Sequence, residues 1–238
     1  MALPSQNSPI YTMVIPSTDQ KVKYRSFFVK EQKSLLIAQQ SEDLDTMLET
    51  LKDVVKSCVI DKVDMNSLAT FDLEYMFTQI RAKSVGEVVD LFFFCNTCTD
   101  EKAKVKISID LTKLEVKKQP EHNKKIELFS DVGVIMKYPS VQTVQKLEMS
   151  NQNDVEMTFD LVVDSIDCIY DSNELYHAKD QSKEELTDFV NNLTQDQFIK
   201  IQKFFDTMPS LKHEVEYKCA VCGKEHKSVL EGLSNFFL

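Results

Sequence analysis

Val88-Val89-Asp90-Leu91-Phe92-Phe93-Phe94-Cys95-Asn96-Thr97-Cys98 carries an apolar, strand-forming run directly into a CxxC hook. More than a hundred residues later, Leu211, His213, Val215 and Tyr217 alternate with polar residues into a second hook, Cys219-Ala220-Val221-Cys222. Alternation at period two predicts strands on both approaches, and Val105, Ile107 and Ile109 continue it beyond the first hook. Two CxxC hooks, each between strands, have the ligand count and spacing of a tetrahedral zinc site, with Zn–S bonds of about 2.3 Å. The two-residue spacer lets backbone amides turn toward the sulfurs while both side chains face one point. Gly223 suits the tight turn after the second hook, whereas Thr99 follows the first.

A shared site with Cys95, Cys98, Cys219 and Cys222 as zinc ligands is the expectation. The alternatives are a lost or partial site, a site between two chains of a dimer, and a redox pair. Thioredoxin-like redox hooks open a helix in a βαβ unit, and these do not. Four thiolates leave no open position for water, so the zinc is expected to be structural rather than catalytic. His226 follows Cys222 by four residues and is expected to be a surface histidine rather than a substitute ligand.

Working outward, Ile10–Ile15 and Val22–Val29 predict a hairpin around Pro16-Ser17-Thr18-Asp19-Gln20, after a polar arm over residues 1–9. A helix is expected from Lys30, with Leu35, Leu36 and Ile37 as an apolar patch. Leu44, Met47, Leu48, Leu51, Val54, Val55 and Cys58 follow helical spacing as one buried stripe, in which Cys58 is a core thiol. A third helix is expected from the cap Thr70 through Leu73, Met76, Phe77 and Ile80. Residues 112–125 are lysine-rich and predict an exposed loop. Ile126–Leu128 and Val132–Met136 predict further strands.

Ser140 to Met208 is expected to be helical. Val155, Phe159, Val162, Ile166 and Ile169 recur at three- and four-residue steps, as a core-facing helix requires. Ser182 with Glu185, and Thr194 with Gln197, have capping-box spacing. Phe198, Ile201, Phe204, Phe205 and Met208 form the inner face of the last helix, which Pro209 stops. Glu156, Asp160, Asp164, Asp167 and Asp171 form a carboxylate stripe along the expected helix. The stripe is either a solvated face or a docking surface for lysines of this chain or a partner. The closing Phe236-Phe237-Leu238 is either an anchor for another subunit or packs on the ribbon.

The 238 residues carry a formal net charge of −10, the wrong sign for a general nucleic-acid binder. Six cysteines are too few for a dense disulfide framework, and hooks of this type in a reducing compartment point to zinc. The N-terminus lacks the basic-then-apolar pattern of a secretory signal. The most apolar run, Val88–Phe94, contains Asp90 and is too short to span a bilayer. Glycines stand only at 86, 133, 223 and 232, so a P-loop, a GxGxxG turn and a GxSxG elbow are all excluded. His122, His177 and His213 are scattered. No enzyme is expected.

Several segments carry a family resemblance. Val14-Ile15-Pro16-Ser17, Val22-Lys23-Tyr24-Arg25-Ser26-Phe27-Phe28-Val29-Lys30-Glu31 and Leu35-Leu36 resemble the opening of T4-like myovirus baseplate hub proteins. Phe71-Asp72-Leu73-Glu74-Tyr75-Met76-Phe77 with Ile80-Arg81-Ala82-Lys83-Ser84-Val85-Gly86-Glu87 is similar to the central motif of that family. Val134-Ile135-Met136-Lys137-Tyr138-Pro139 resembles a third shared stretch, and the hooks fall where members often carry theirs. The resemblance covers most of the chain, strongest before residue 140. It implies a viral protein that belongs to, or helps assemble, the hub of a contractile tail. Its partners would be other baseplate and tail hub proteins, and its site the host cytoplasm during assembly or the baseplate of the virion. Only the four cysteines carry over as site residues.

The expected fold is α+β, predominantly helical, with an N-terminal hairpin and a discontinuous zinc-ribbon-like β module closed by the two CxxC knuckles. Residues 1–87 would hold the hairpin and helices, 88–110 with 211–238 the ribbon module, and 111–210 a mainly helical insertion. The expected function is a structural or assembly component of the hub, acting by protein–protein docking around a structural zinc. One alternative is a transient assembly chaperone for the tape-measure or hub proteins. Another, from a different class, is a cytoplasmic zinc-ribbon adaptor, which salt-sensitive retention on DNA would reveal. Homo- and hetero-oligomers both remain open.

Overall fold

Period-two alternation builds more of this chain than the sequence reading allowed. The computed structural model describes residues 8–41, 43–95, 97–98, 103–148 and 153–232. The beginning of the expected arm, Thr99 beside the first hook and the closing Phe236-Phe237-Leu238 lie outside those residues. About 41% of the structure is helical and 29% strand, with several antiparallel sheets, which corrects the expectation of a predominantly helical protein. The chain divides into two units. One comprises Met1–Met65, Phe71–Lys117 and Ser210–Leu238, and the other Asn66–Thr70 with Lys118–Pro209.

The first unit opens with strands β1 (Ile10–Val14) and β2 (Lys21–Arg25), paired antiparallel with Val14 opposite Lys21. Met13, Val22 and Tyr24 are their buried residues, joined by Ile15 just past β1. Helices α1 (Val29–Ser41), α2 (Leu44–Cys58) and α3 (Thr70–Ser84) follow. Asp43 caps α2 by accepting from the Thr46 amide. The periodic stripe of α2 buries Leu51, Val54, Val55 and Cys58, and α3 buries Leu73, Met76, Phe77 and Ile80. On helix α1 the apolar patch faces solvent at Leu36 and Ile37, while Glu31 and Ala38 are buried.

Glu31 is tolerated inside because its oxygens are fully engaged. Arg25 Nη2 donates to Oε1 at 2.9 Å, the Ser57 hydroxyl to Oε1 at 3.0 Å, and the Phe28 amide to Oε2 at 2.8 Å. Burial alone would raise its pKa, but these donors outweigh burial and pull it down to about 2. The network joins β2, α1 and α2.

Strands β3 (Val88–Phe93) and β4 (Val105–Asp110) pair antiparallel with Phe93 opposite Val105, so the first hook sits in their connection. The stretch expected as an exposed loop is instead partly internal. Leu114 and His122 are buried, and strand β5 (Val116–Lys117) lies between them in sequence. The apolar residues of this stretch at 114 and 116 lie among lysines whose charge dominates the composition.

In the second unit, β6 (Lys125–Phe129) and β7 (Val132–Met136) form a hairpin whose turn residues Ser130 and Asp131 have φ of 36° and 68°. Two-residue hairpin turns of this kind match the twist of the strands they join. Helices α4 (Val141–Glu148) and α5 (Asp154–Asp164) come next, and then the chain contradicts the helical reading. Strand β8 (Ile166–Tyr170) pairs with β7, and strand β9 (Leu175–His177) with β8, giving the antiparallel order β6-β7-β8-β9. Ile166 and Cys168 are buried and Asp167 between them is exposed, a strand pattern that four-residue counting cannot distinguish from a helix. Val155, expected in the core, is 65% exposed.

The carboxylate stripe is broken by the same turn, since Asp167 and Asp171 lie past the end of α5. Asp160 pairs instead with Lys183 at 2.9 Å. Helices α6 (Lys183–Asn191) and α7 (Gln195–Asp206) both begin in complete capping boxes, Ser182 with Glu185 and Thr194 with Gln197. The core of this unit gathers Leu128, Val134, Met136, Val162, Ile166, Leu186, Ile201 and Phe204.

The chain then returns to the first unit. Strand β10 (Ser210–Lys218) pairs at its start with β5 and along its length with β11 (Glu225–Glu231). Lys218 lies opposite Glu225, so the second hook occupies this hairpin connection. Beneath the sheets, Ile109, Leu111, Leu114, Leu211, Val215 and Leu230 share one core. No helix among the described residues is long and apolar enough to cross a membrane.

Candidate metal centre

Both hooks leave a strand end and turn on backbone hydrogen bonds. In the second, the Cys219 amide donates to Lys224 O at 2.9 Å and the Gly223 amide to Cys219 O at 3.0 Å. Gly223 has φ +70°, the left-handed conformation that a side chain would strain. In the first, the amides of Thr97 and Cys98 and the Thr97 hydroxyl, 3.1 Å away, converge on Cys95 Sγ.

The hairpins are joined by contacts that need no metal. Tyr217 of β10 donates its hydroxyl to Phe94 O at 3.0 Å, and its ring lies 5.1 Å from that of Phe93. Cys95, Ala103 and Cys219 are buried against one another, with Cys98 packed on them. Cys222 is exposed.

All four predicted ligand residues come together. One sulfur from each of Cys95, Cys98, Cys219 and Cys222 lies within 4.8 Å of the others. The Cys95–Cys222 sulfurs are 3.7 Å apart and the Cys98–Cys219 sulfurs 4.0 Å. A tetrahedron with Zn–S bonds of about 2.3 Å has edges of about 3.8 Å, so the cage fits that ion size.

The electrostatics point the same way. The Thr97 hydroxyl first, then the amides and His226, pull the Cys95 thiol down to about 5. Cys98 is pushed up to about 12, foremost through its hydrogen bond with Cys222 and then by desolvation. Cys222 is lowered, chiefly by the Lys224 amide. Neighbouring thiols resist ionising together because like charges repel, and a divalent cation at their centre removes that repulsion. The arrangement can hold a closed, four-coordinate metal.

His226 was expected as a surface histidine beside the site; it does lie beside it, but not on the open surface. It is half-buried instead: its ring stacks on Tyr217 at 5.1 Å, and its Nε2 lies 3.1 Å from Cys95 Sγ. The register explains this, because His226 is the direct cross-strand partner of Tyr217. The alternation of β10 located Tyr217, but the pairing offset that brings His226 beside it depends on the turn length. A fully buried histidine, His122, is remote from the hooks in sequence. Its ring nitrogens lie 3.0 Å from Thr207 Oγ1 and 3.1 Å from the Tyr138 hydroxyl.

A family model described as T4 bacteriophage base plate protein matches residues 8–238. The baseplate hub assembly protein gp26 of Enterobacteria phage T4 is 24% identical over 216 residues, covering 91% of this chain and 92% of that protein. No solved structure matches the chain significantly.

Proposed function

The chain belongs to the T4 bacteriophage base plate protein family, and from that premise we propose that it is a structural or assembly component of a contractile-tail baseplate hub. The observation that carries this is the extent of the match. Family similarity runs through both units and across both hooks, and the relative named as a hub assembly protein is covered almost end to end. Its action is protein–protein docking, on surfaces held in place by a structural zinc bound through Cys95, Cys98, Cys219 and Cys222. The four-sulfur cage supports that ligand set, and a closed set supplies rigidity rather than chemistry.

The partners are other baseplate proteins, met in the host cytoplasm during assembly. A second reading, a transient assembly chaperone acting on the hub or tape-measure proteins, is favoured by one observation: the relative's name describes assembly. Mass spectrometry separates the two. A hub subunit is found in purified particles at a fixed ratio to the other baseplate proteins. A chaperone is found with baseplate intermediates from infected cells and is missing from finished particles. A chain that co-purifies with neither would sink the proposal.

A further inference from the structure

The feature left without a role is His226, whose ring meets the cage at Cys95. We propose that His226 is a positioning residue for the metal: its Nε2–H donates to Cys95 Sγ and holds that sulfur as an oriented thiolate, controlling how readily the metal is released. The role presupposes the four-thiolate site proposed above.

Three observations support it. Nε2 is 3.1 Å from the sulfur, within reach of an N–H···S hydrogen bond. The ring is held in plane by stacking on Tyr217, at 5.1 Å and 19°. Tyr217 in turn is tied to Phe94, the residue before Cys95, through its hydroxyl. A single cross-strand pair of the β10–β11 hairpin therefore fixes both the backbone and the sulfur of the opposite hook. Four thiolates around a dication leave a doubly negative centre. Donors to sulfur lower that charge, and orienting groups of this kind typically change metal affinity by about 10–100-fold.

The alternative role for His226 is direct ligation in place of a cysteine. Cobalt substitution distinguishes them, because the ligand-field spectrum of a four-sulfur set differs from that of a three-sulfur, one-nitrogen set. The experiment loads the full chain with cobalt or zinc and follows metal transfer to a chelator, for wild type, His226→Ala and His226→Gln. Expected are an unchanged four-sulfur spectrum in all three proteins and release about tenfold or more faster in His226→Ala. Substantial recovery is expected in His226→Gln, which keeps an N–H donor. Equal release rates for wild type and His226→Ala, with both proteins folded by circular dichroism, would overturn the proposal. So would a wild-type mixed-ligand spectrum that the alanine variant loses. A wild-type chain that takes up neither metal overturns the metal site itself, a separate failure read before any variant is compared.

Discussion

Replacing Cys95 and Cys219 together by serine removes one sulfur from each hook, and two remaining thiolates cannot close a tetrahedral zinc site. Metal analysis of the purified chain should give one zinc per wild-type chain and about none in the double variant. Structural zinc contributes on the order of 10 kcal/mol in small metal-dependent folds, comparable with the whole stability of a domain. The loss should therefore also appear as a lower melting temperature. His122 offers an independent test in the second unit. Burial, helped by Lys118 and Lys124, lowers its pKa below the ordinary 6.5. The fold thus favours the neutral ring, whereas the unfolded chain takes up the proton first as pH falls. Stability should hold above about pH 6.5 and decline as the pH drops from there toward the lowered folded value. Denaturant melts at a series of pH values check this, and in His122→Asn the decline should shrink.

At the scale of the element, the four-stranded sheet depends on Gly133. A Cβ at this position would lie 2.3 Å from Ile126 O and 2.3 Å from the Tyr170 hydroxyl. Ile126 O is backbone of the neighbouring strand and cannot swing aside. Gly133→Ala should cost about 1–3 kcal/mol, the usual range for overpacking, by forcing β7 away from β6 and β8. Urea melts give this value directly. The same sheet shows how an element can be misjudged. Ile166 stands four residues after Val162 and three before Ile169, which fits a helix. It also stands two before Cys168, which fits a strand. Ser165 ends α5, its amide shared between Leu161 O and Val162 O, and β7 then supplies the hydrogen bonds that make β8 a strand.

For the whole molecule, the consequence of a clamp confined to one unit is that its removal should be felt unevenly. Both hooks and both hairpins belong to the first unit, while β6–β9 have a core of their own. Stripping the metal with a chelator should raise amide hydrogen exchange in β3, β4, β10 and β11 and leave protection in β7 and β8 close to its starting value. Uniform loss of protection would show instead that the clamp stabilises the entire chain.

The two hooks, the strands leading into them, the N-terminal hairpin, the α2 stripe and both capping boxes were legible in the sequence. Each of these is a local code, written in spacing or in residues that satisfy a neighbouring backbone. The sequence also carried the family resemblance, which the family match over residues 8–238 bears out. The strands at Ile126–Leu128 and Val132–Met136 were legible too, whereas the stretches 112–117 and 166–177 were settled by tertiary packing alone. There Leu114, Ile166 and Cys168 are buried through partners distant in sequence, and an ambiguous period is resolved by which strand lies alongside. Tertiary packing likewise brought His226 to Cys95. Sequence spacing fixes which groups can bind, but hairpin register and the meeting of two hairpins fix which groups touch, and those are settled by packing.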